Sequence, residues 1–179
     1  MKKIVILLFA VITAISCSKD DEQTPTPEPV ANTALKVFNK TTGAEIKDGD
    51  VLTVNSISSQ GGANELKFYF KNTSAAPINT KVKFISFSGV PDTSYLSICI
   101  GAQCLSSIIT GFSYPLSSEP IITIPANGIV GDIEGYKIFN TTTPVSPATK
   151  IDYVFEAYQY DASGNSVGNK VRFTYRYQQ

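Results

Sequence analysis

Two segments near the end of the chain, residues 151–159 and 170–177, alternate between apolar and polar side chains. A period of two is typical of a β-strand that buries one face, and it fixes the register, because a slip of one residue would expose the apolar face. A hairpin that folds about Gly164, with residues 162–166 as its loop, brings opposite charges together and aromatic rings together. The predicted pairs are Asp152 with Arg176, Glu156 with Arg172, Phe155 with Phe173 and Tyr153 with Tyr175. We expect the charged pairs to form a solvated outer face.

The chain from residue 35 onward contains further short alternating segments divided by turn residues, and no stretch shows a sustained helical period. The other strands are predicted at residues 35–39, 51–54, 65–71, 81–85, 95–100, 104–109, 121–124 and 135–139. Many short strands without helices favour an all-β fold, namely an antiparallel β-sandwich of about seven to nine strands. Residues 35–179 are long enough to form one such domain with its own core.

The stretch NELKFYFKNTSAAPINTKVKFISFSGVPDTSYLSICIGAQC, which ends at Cys104, resembles Ig-like domains of Bacteroidota surface proteins. Those domains often have an N-x-[ST] turn between two strands and a cysteine pair in a later hairpin. The resemblance implies that the sandwich is Ig-like. It carries no set of functional residues with it.

Cys99 and Cys104 are separated by a short segment that favours a hairpin turn. If Gly101 and Ala102 form a two-residue loop, the two cysteines lie directly opposite each other, with Cα atoms about 4.5–5.5 Å apart. That separation allows a disulfide, and an exported chain favours its oxidation. The bond would hold the tip from Gly101 to Gln103 rigid. A redox-active pair or a soft-metal site of two thiols is the alternative.

The start of the chain is typical of an export signal. Lys2 and Lys3 precede an apolar run at residues 4–12 that is too short to span a bilayer comfortably. The letters AISC, ending at Cys17, resemble the lipobox of bacterial lipoproteins, except that alanine stands where leucine is commonest. This resemblance implies that residues 1–16 are removed and that Cys17 is acylated. The alternative is an ordinary signal peptide with a chance cysteine.

Residues 17–34 are predicted to be the lipidated cysteine and an acidic, proline-rich stalk. The letters KDDE at residues 19–22 resemble the export tag of Bacteroidota surface lipoproteins; the alternative is a solvated charged spacer. Proline favours polyproline II at about 3.1 Å per residue, so residues 18–34 can hold a domain up to roughly 50 Å from the membrane. We therefore expect residues 35–179 to be a domain lipid-anchored to the outer membrane, facing the cell exterior.

Composition argues against several classes of function. The chain contains no histidine, which excludes Ser-His-Asp and Cys-His catalysis, and two cysteines besides Cys17 are too few for a structural zinc site. No nucleotide-binding motif occurs, and a formal net charge of zero argues against a nucleic-acid partner. The letters DGD at residues 48–50 predict a tight turn rather than a calcium site. Asp132 and Glu134 form a local carboxylate pair, which is weak evidence for glycoside hydrolysis. We expect no catalytic residues, metal or cofactor.

Four tyrosines are candidates for an exposed aromatic platform: Tyr69, Tyr136, Tyr158 and Tyr160. Tyrosine stacks on sugars and is enriched at interfaces. The predicted ligand-binding residues are Tyr158 and Tyr160 on the outward face, together with Gly101 and Gln103 at the hairpin tip. The sequence therefore predicts a protein that binds without catalysis, as a protein-interaction, adhesion or envelope-structural module. The alternative is an accessory glycan-binding protein that uses its tyrosines.

Overall fold

The computed structural model describes residues 33–55, 65–90, 92–94, 96–100, 103–116, 121–133, 136–140 and 150–178, with the exception of the side chain of Asn140. Every regular element among these residues is a β-strand. The strands are β1 (Leu35–Asn39), β2 (Glu45–Ile46), β3 (Asp50–Val54), β4 (Leu66–Asn72), β5 (Ile78–Ser88), β6 (Leu96–Ile100), β7 (Gln103–Ser106), β8 (Ser113–Tyr114), β9 (Ile122–Ile124), β10 (Ile129–Val130), β11 (Tyr136–Asn140), β12 (Ile151–Tyr160) and β13 (Ser166–Tyr177).

The strands form two sheets. Sheet A has the order β2-β1-β4-β11-β6-β7, with β10 also paired to β4, and sheet B has the order β3-β13-β12-β5-β8, with β9 also paired to β5. The predicted all-β sandwich is confirmed. Two details differ from the prediction. Strand β3 runs parallel to β13 at one edge of sheet B. The thirteen described strands also outnumber the predicted seven to nine, in part because β2, β8 and β10 are too short to show an alternating pattern.

The core lies between the sheets and is filled by one face of each long strand. In β4 the residues Leu66, Phe68 and Phe70 are buried, whereas Lys67 and Tyr69 between them are half-buried on the other face. The ring of Phe68 lies 6.0 Å from that of Phe173 in sheet B, and Phe173 lies 5.9 Å from Phe155. Each such side chain contributes about 1.5–3 kcal/mol when it is fully buried. The aromatic packing therefore holds the two sheets together.

The hairpin of β12 and β13 has the predicted register from Ile151 to Tyr158, including all four predicted pairs. The register then shifts, because Tyr158 pairs with Lys170 whereas Gln159 pairs with Val167. The two intervening residues of β13 form a bulge, which bends the hairpin tip. Gly168 supplies the positive φ of 71° that this bulge contains.

Asn72 connects two loops at one end of the sandwich. It is fully buried, and its side-chain amide donates to the carbonyl oxygens of Ala76 at 2.7 Å and Pro125 at 3.0 Å. Its side-chain oxygen accepts from both the backbone N–H and the hydroxyl of Ser74 at 2.8 Å. One side chain therefore satisfies polar groups from the β4–β5 loop and from the turn after β9 (Ile122–Ile124).

The predicted disulfide is present. Cys99 in β6 pairs directly with Cys104 in β7, their Cα atoms are 4.0 Å apart, and their sulfur atoms are bonded. Gly101 and Ala102, the predicted loop, lie outside the described residues. The bond ties β7, the edge strand of sheet A, to its neighbour.

Alkylation of the exported protein without a reductant is expected to label neither Cys99 nor Cys104, because the structure joins their sulfur atoms. After reduction in denaturant, both should be labelled. Peptide mass spectrometry distinguishes the two states, and modified cysteines in the unreduced sample would contradict the pairing.

The start of the domain lies slightly before the predicted boundary. Ala34, assigned to the stalk from the sequence, is buried in the core, and its carbonyl oxygen accepts a hydrogen bond from the backbone N–H of Thr73 at 2.9 Å. Residues 1–32, including Cys17 and the rest of the stalk, lie outside the described residues. Among the described residues, no helix has the length and apolar character needed to cross a membrane.

Candidate functional site

The outer face of sheet B carries charged and aromatic side chains in an ordered pattern. Glu156 and Tyr158 point outward from the central strand β12, and each has a cationic residue opposite it on both neighbouring strands. On β5 these are Lys83 and Lys81, and on β13 they are Arg172 and Lys170. We call these six residues the outer-face site: Lys81, Lys83, Glu156, Tyr158, Lys170 and Arg172.

Glu156 is the buried centre of this site. Its side chain is only 7% exposed, one carboxylate oxygen lies 2.8 Å from Nη2 of Arg172, and the other lies 3.3 Å from Nζ of Lys170. A buried carboxylate is tolerated only when it is paired in this way. The prediction of a solvated charged stripe is therefore wrong at Glu156. The strand pair with Arg172 is present as predicted, but the carboxylate is buried and also contacts Lys170.

The second predicted charge pair is at the other end of the hairpin. Arg176 donates two hydrogen bonds to Asp152, from Nε at 2.6 Å and from Nη2 at 2.9 Å. These hydrogen bonds lower the pKa of Asp152 below its ordinary value, and burial opposes them only in part. Asp152 is therefore ionised near neutral pH and is not suited to donate a proton.

Tyr158 and Tyr160 face outward but are half-buried, so they do not form the exposed platform that the alternation predicts. The hydroxyl of Tyr158 donates to the hydroxyl oxygen of Ser113 on β8 at 2.8 Å. The hydroxyl of Tyr160 is buried without a hydrogen-bond partner among the described residues, and Lys81 lies 5.5 Å above its ring. Burial raises the pKa of Tyr160. Both tyrosines therefore also contribute to packing. Lys81 of β5 lies over the ring of Tyr160, and Ser113 of the short strand β8 contacts the hydroxyl of Tyr158.

A depression of about 160 Å³ lies on this face. The bent tip of the hairpin forms one side of it, and strands β5, β8 and β12 form the rest. The residues that line it are Lys83, Ser113, Glu156, Tyr158, Gly164, Ser166 and Lys170. Gly164, with a φ of 83°, allows the turn that brings this tip around. The depression thus combines hydroxyl groups, one paired carboxylate and two lysines.

The other residues predicted for binding lie elsewhere. Gly101 lies outside the described residues, and Gln103 is half-buried on the edge strand β7, where its side-chain oxygen has no hydrogen-bond partner among the described residues. Tyr69 stacks on Phe38 on sheet A, with ring centroids 5.2 Å apart. Tyr136 is buried in the core, which raises its pKa. Gln103, Tyr69 and Tyr136 therefore do not line the depression on sheet B.

The carboxylates considered from the sequence do not form a reactive pair in the described part of the chain. Asp50 accepts a hydrogen bond from the backbone N–H of Lys47 at 2.8 Å, as expected for a turn. Glu134, the predicted partner of Asp132, lies outside the described residues. Within the described residues, no three histidine, cysteine, aspartate or glutamate side chains lie close enough together to hold a metal ion.

Sequence reasoning missed three members of this face. Lys81 and Lys83 were recognised as part of an alternating strand, but their position beside Glu156 and Tyr158 depends on β5 pairing with β12, which is distant in sequence. Ser113 belongs to a two-residue strand that has no periodic pattern. The two lysines at residues 81 and 83 are visible in the sequence as a charged face of a strand. Only the order of the strands in sheet B places that strand next to the hairpin.

Comparisons with known proteins identify no family for this chain. No family model and no curated protein matches it. Among solved structures, the N-terminal domain of PorA is 16% identical with a TM-score of 0.44, and the match covers 80% of this chain and 96% of that one. The ASH / PapD-like domain of human CEP192 (PapD-like domain 7) is 12% identical with a TM-score of 0.40, covering 87% and 90%. The fold assignment rests on the strand order and packing described above.

Proposed function

We propose that this protein is a surface lipoprotein of a Bacteroidota bacterium, and that its Ig-like domain binds a ligand without a chemical step of its own. The outer-face site is the proposed binding surface. The observation that carries this proposal is the buried Glu156, which is flanked by three cationic residues and lines a depression. A buried charge is costly, and a plain solvent-facing sheet needs none.

The carboxylates on this face support binding rather than catalysis. Asp152 and Glu156 each accept hydrogen bonds from an arginine, and a general acid would need its carboxyl group protonated near neutral pH. Enzymes reach that state by burial without a cationic partner or by a like charge nearby. Here the neighbours favour the ionised form of Asp152.

The proposed location follows from the first residues of the chain. Acylation of Cys17 anchors the protein in the outer membrane, residues 19–22 direct it to the exterior, and the proline-rich stalk up to residue 33 holds the domain away from the lipid. Residues 1–32 lie outside the described residues, so the resemblance of their sequence to lipoprotein signals is the support for these elements. In this position the outer-face site is accessible to molecules outside the cell.

Two kinds of ligand fit a surface binding module. A protein partner, as in adhesion or envelope assembly, fits the flat sheet and its edges. A glycan is favoured by the depression itself, because its hydroxyl and carboxylate groups can exchange hydrogen bonds with sugar hydroxyls and its tyrosine offers an apolar surface. The glycan is therefore the second candidate function.

Ser166→Trp is expected to abolish saturable binding of the mature, non-acylated protein to intact cells of its source bacterium, because a large ring at Ser166 fills the depression. Ser163→Trp is the matched control. It places the same ring on the same hairpin turn, at an exposed residue that does not line the depression. Retention measured by fluorescence should fall for Ser166→Trp alone. Equal retention of both variants would show that this surface is not the binding site.

A further inference from the structure

The outer-face site has more positive than negative charge. Lys83, Lys170 and Arg172 flank Glu156, and each of its two carboxylate oxygens contacts one cation, Arg172 or Lys170. Lys81 lies one pair further along β5, with its ammonium over the ring of Tyr160. Lys83 lies directly opposite Glu156 but forms no ion pair with any described residue. The carboxylate of Asp48 also lies beside the site, because it accepts a hydrogen bond from the backbone N–H of Arg172 at 2.8 Å. Counting Asp48, the site still has two positive charges in excess.

This excess is local to the site. The whole chain has a formal net charge of zero, so the cations on sheet B are not a consequence of a basic composition. Like charges gathered on one face of a sheet repel one another, although less than a directly opposite pair when a strand lies between them. Here Lys81 and Lys170 lie on the two sides of Tyr158, and Lys83 and Arg172 lie on the two sides of Glu156. An anionic group bound between Lys83 and Lys170 would offset this repulsion.

The lining also contains groups that an anion alone does not satisfy. Ser113, Ser166 and the hydroxyl of Tyr158 can donate or accept hydrogen bonds, and Glu156 can only accept them. A simple anion placed here would face the carboxylate of Glu156 without donating to it. A ligand that carries hydroxyl groups as well as an anionic group can donate to Glu156 while its negative charge contacts the lysines. An acidic sugar has both groups on one ring.

We infer that the depression binds an acidic sugar, in which a carboxylate, sulfate or phosphate contacts Lys83 and Lys170 and ring hydroxyls donate to Glu156. This inference rests on the proposed binding function and narrows it to one ligand class. A neutral sugar leaves Lys83 without a partner. An acidic peptide supplies the negative charge but not the hydroxyl groups that suit the small, hydroxyl-lined depression.

The experiment is calorimetric titration of the mature protein with two acidic sugars and their neutral counterparts. Trigalacturonic acid is compared with its methyl ester, and a sulfated galactose disaccharide is compared with the same disaccharide without sulfate; triglutamate serves as an anionic peptide. At least one acidic sugar should bind about tenfold more tightly than its neutral form and than triglutamate, as expected for a charged hydrogen bond. That affinity should fall as salt is raised, because these groups are partly exposed.

Lys83→Gln is expected to lower the affinity for that acidic sugar about tenfold while leaving its neutral counterpart unaffected. Lys71→Gln is the matched control, since Lys71 is a half-buried lysine on the outer face of sheet A that also forms no ion pair with the described residues. Equal binding of neutral and acidic forms, equal binding of triglutamate, or no binding of any probe would each overturn the inference. The Ser166→Trp comparison on cells tests the binding function separately. A failure of the acidic-sugar inference can therefore be distinguished from a failure of the proposed binding function.

Discussion

Asn72→Ala is expected to lower the free energy of unfolding by about 3 kcal/mol, because it removes one buried side chain that satisfies several polar groups at once. The carbonyl oxygens of Ala76 and Pro125 lose a donor, and Ser74 loses the acceptor of two hydrogen bonds. Each buried group left without a partner costs about 1–3 kcal/mol, although water entering the gap recovers part of this. Urea denaturation followed by fluorescence or circular dichroism measures the effect.

Asn79→Ala is the matched control for this change. Asn79 lies on β5, is half-buried, and accepts one exposed hydrogen bond from the hydroxyl of Thr123 at 2.9 Å. Its replacement should cost about 0.5 kcal/mol or less, as is usual at exposed positions. If the two alanine variants were equally stable, the network around Asn72 would not hold the loops together as described.

Cys17→Ser is expected to remove the protein from the outer-membrane fraction completely. The proposed anchor is the acylated cysteine; each buried CH₂ of an acyl chain contributes about 0.8 kcal/mol, and more than one chain is needed for stable attachment. Serine cannot form the thioether on which this acylation depends. Fractionation followed by immunoblotting measures the loss, and mass spectrometry of the wild type should find an acylated Cys17 as the first residue.

Deletion of residues 19–22 is the companion variant, because it should leave anchoring intact and reduce exposure on the cell surface. Recovery of Cys17→Ser in the outer membrane would contradict the lipid anchor. Unchanged protease accessibility of the deletion variant on intact cells would contradict the export tag alone. The two variants therefore test attachment to the membrane and export to the cell surface separately.

The hairpin of β12 and β13 shows how far sequence patterns determined the fold. The charge and aromatic pairs agree in only one register, and the structure has that register up to Tyr158. The pattern did not reveal the bulge at residues 168–169, because the alternation that predicted the second strand begins only at residue 170. The glycine at 168 is a signal of this irregularity, since an isolated glycine within a strand often marks a bulge.

The site was less predictable than the fold. Alternation correctly placed Tyr158 on the outer face, but it does not report what neighbouring strands contribute. The burial of Glu156 and the position of Lys83 depend on β5 lying beside β12, a contact between segments about seventy residues apart in the chain. Likewise, Ser113 contacts Tyr158 from a strand of two residues, too short for any periodic signal. Long-range pairing, rather than local pattern, creates this site.

We expect the outer face of sheet B to be covered by a ligand when the protein is on the cell. Labelling with a membrane-impermeant amine reagent, quantified for each lysine by mass spectrometry, measures this on intact cells and on the purified mature protein. Lys81, Lys83 and Lys170 should be labelled less on cells than in the purified protein, whereas Lys36 and Lys71 on sheet A should be labelled equally in both. Equal labelling of the sheet B lysines in the two samples, or protection of the sheet A lysines instead, would show that this face is not the binding surface.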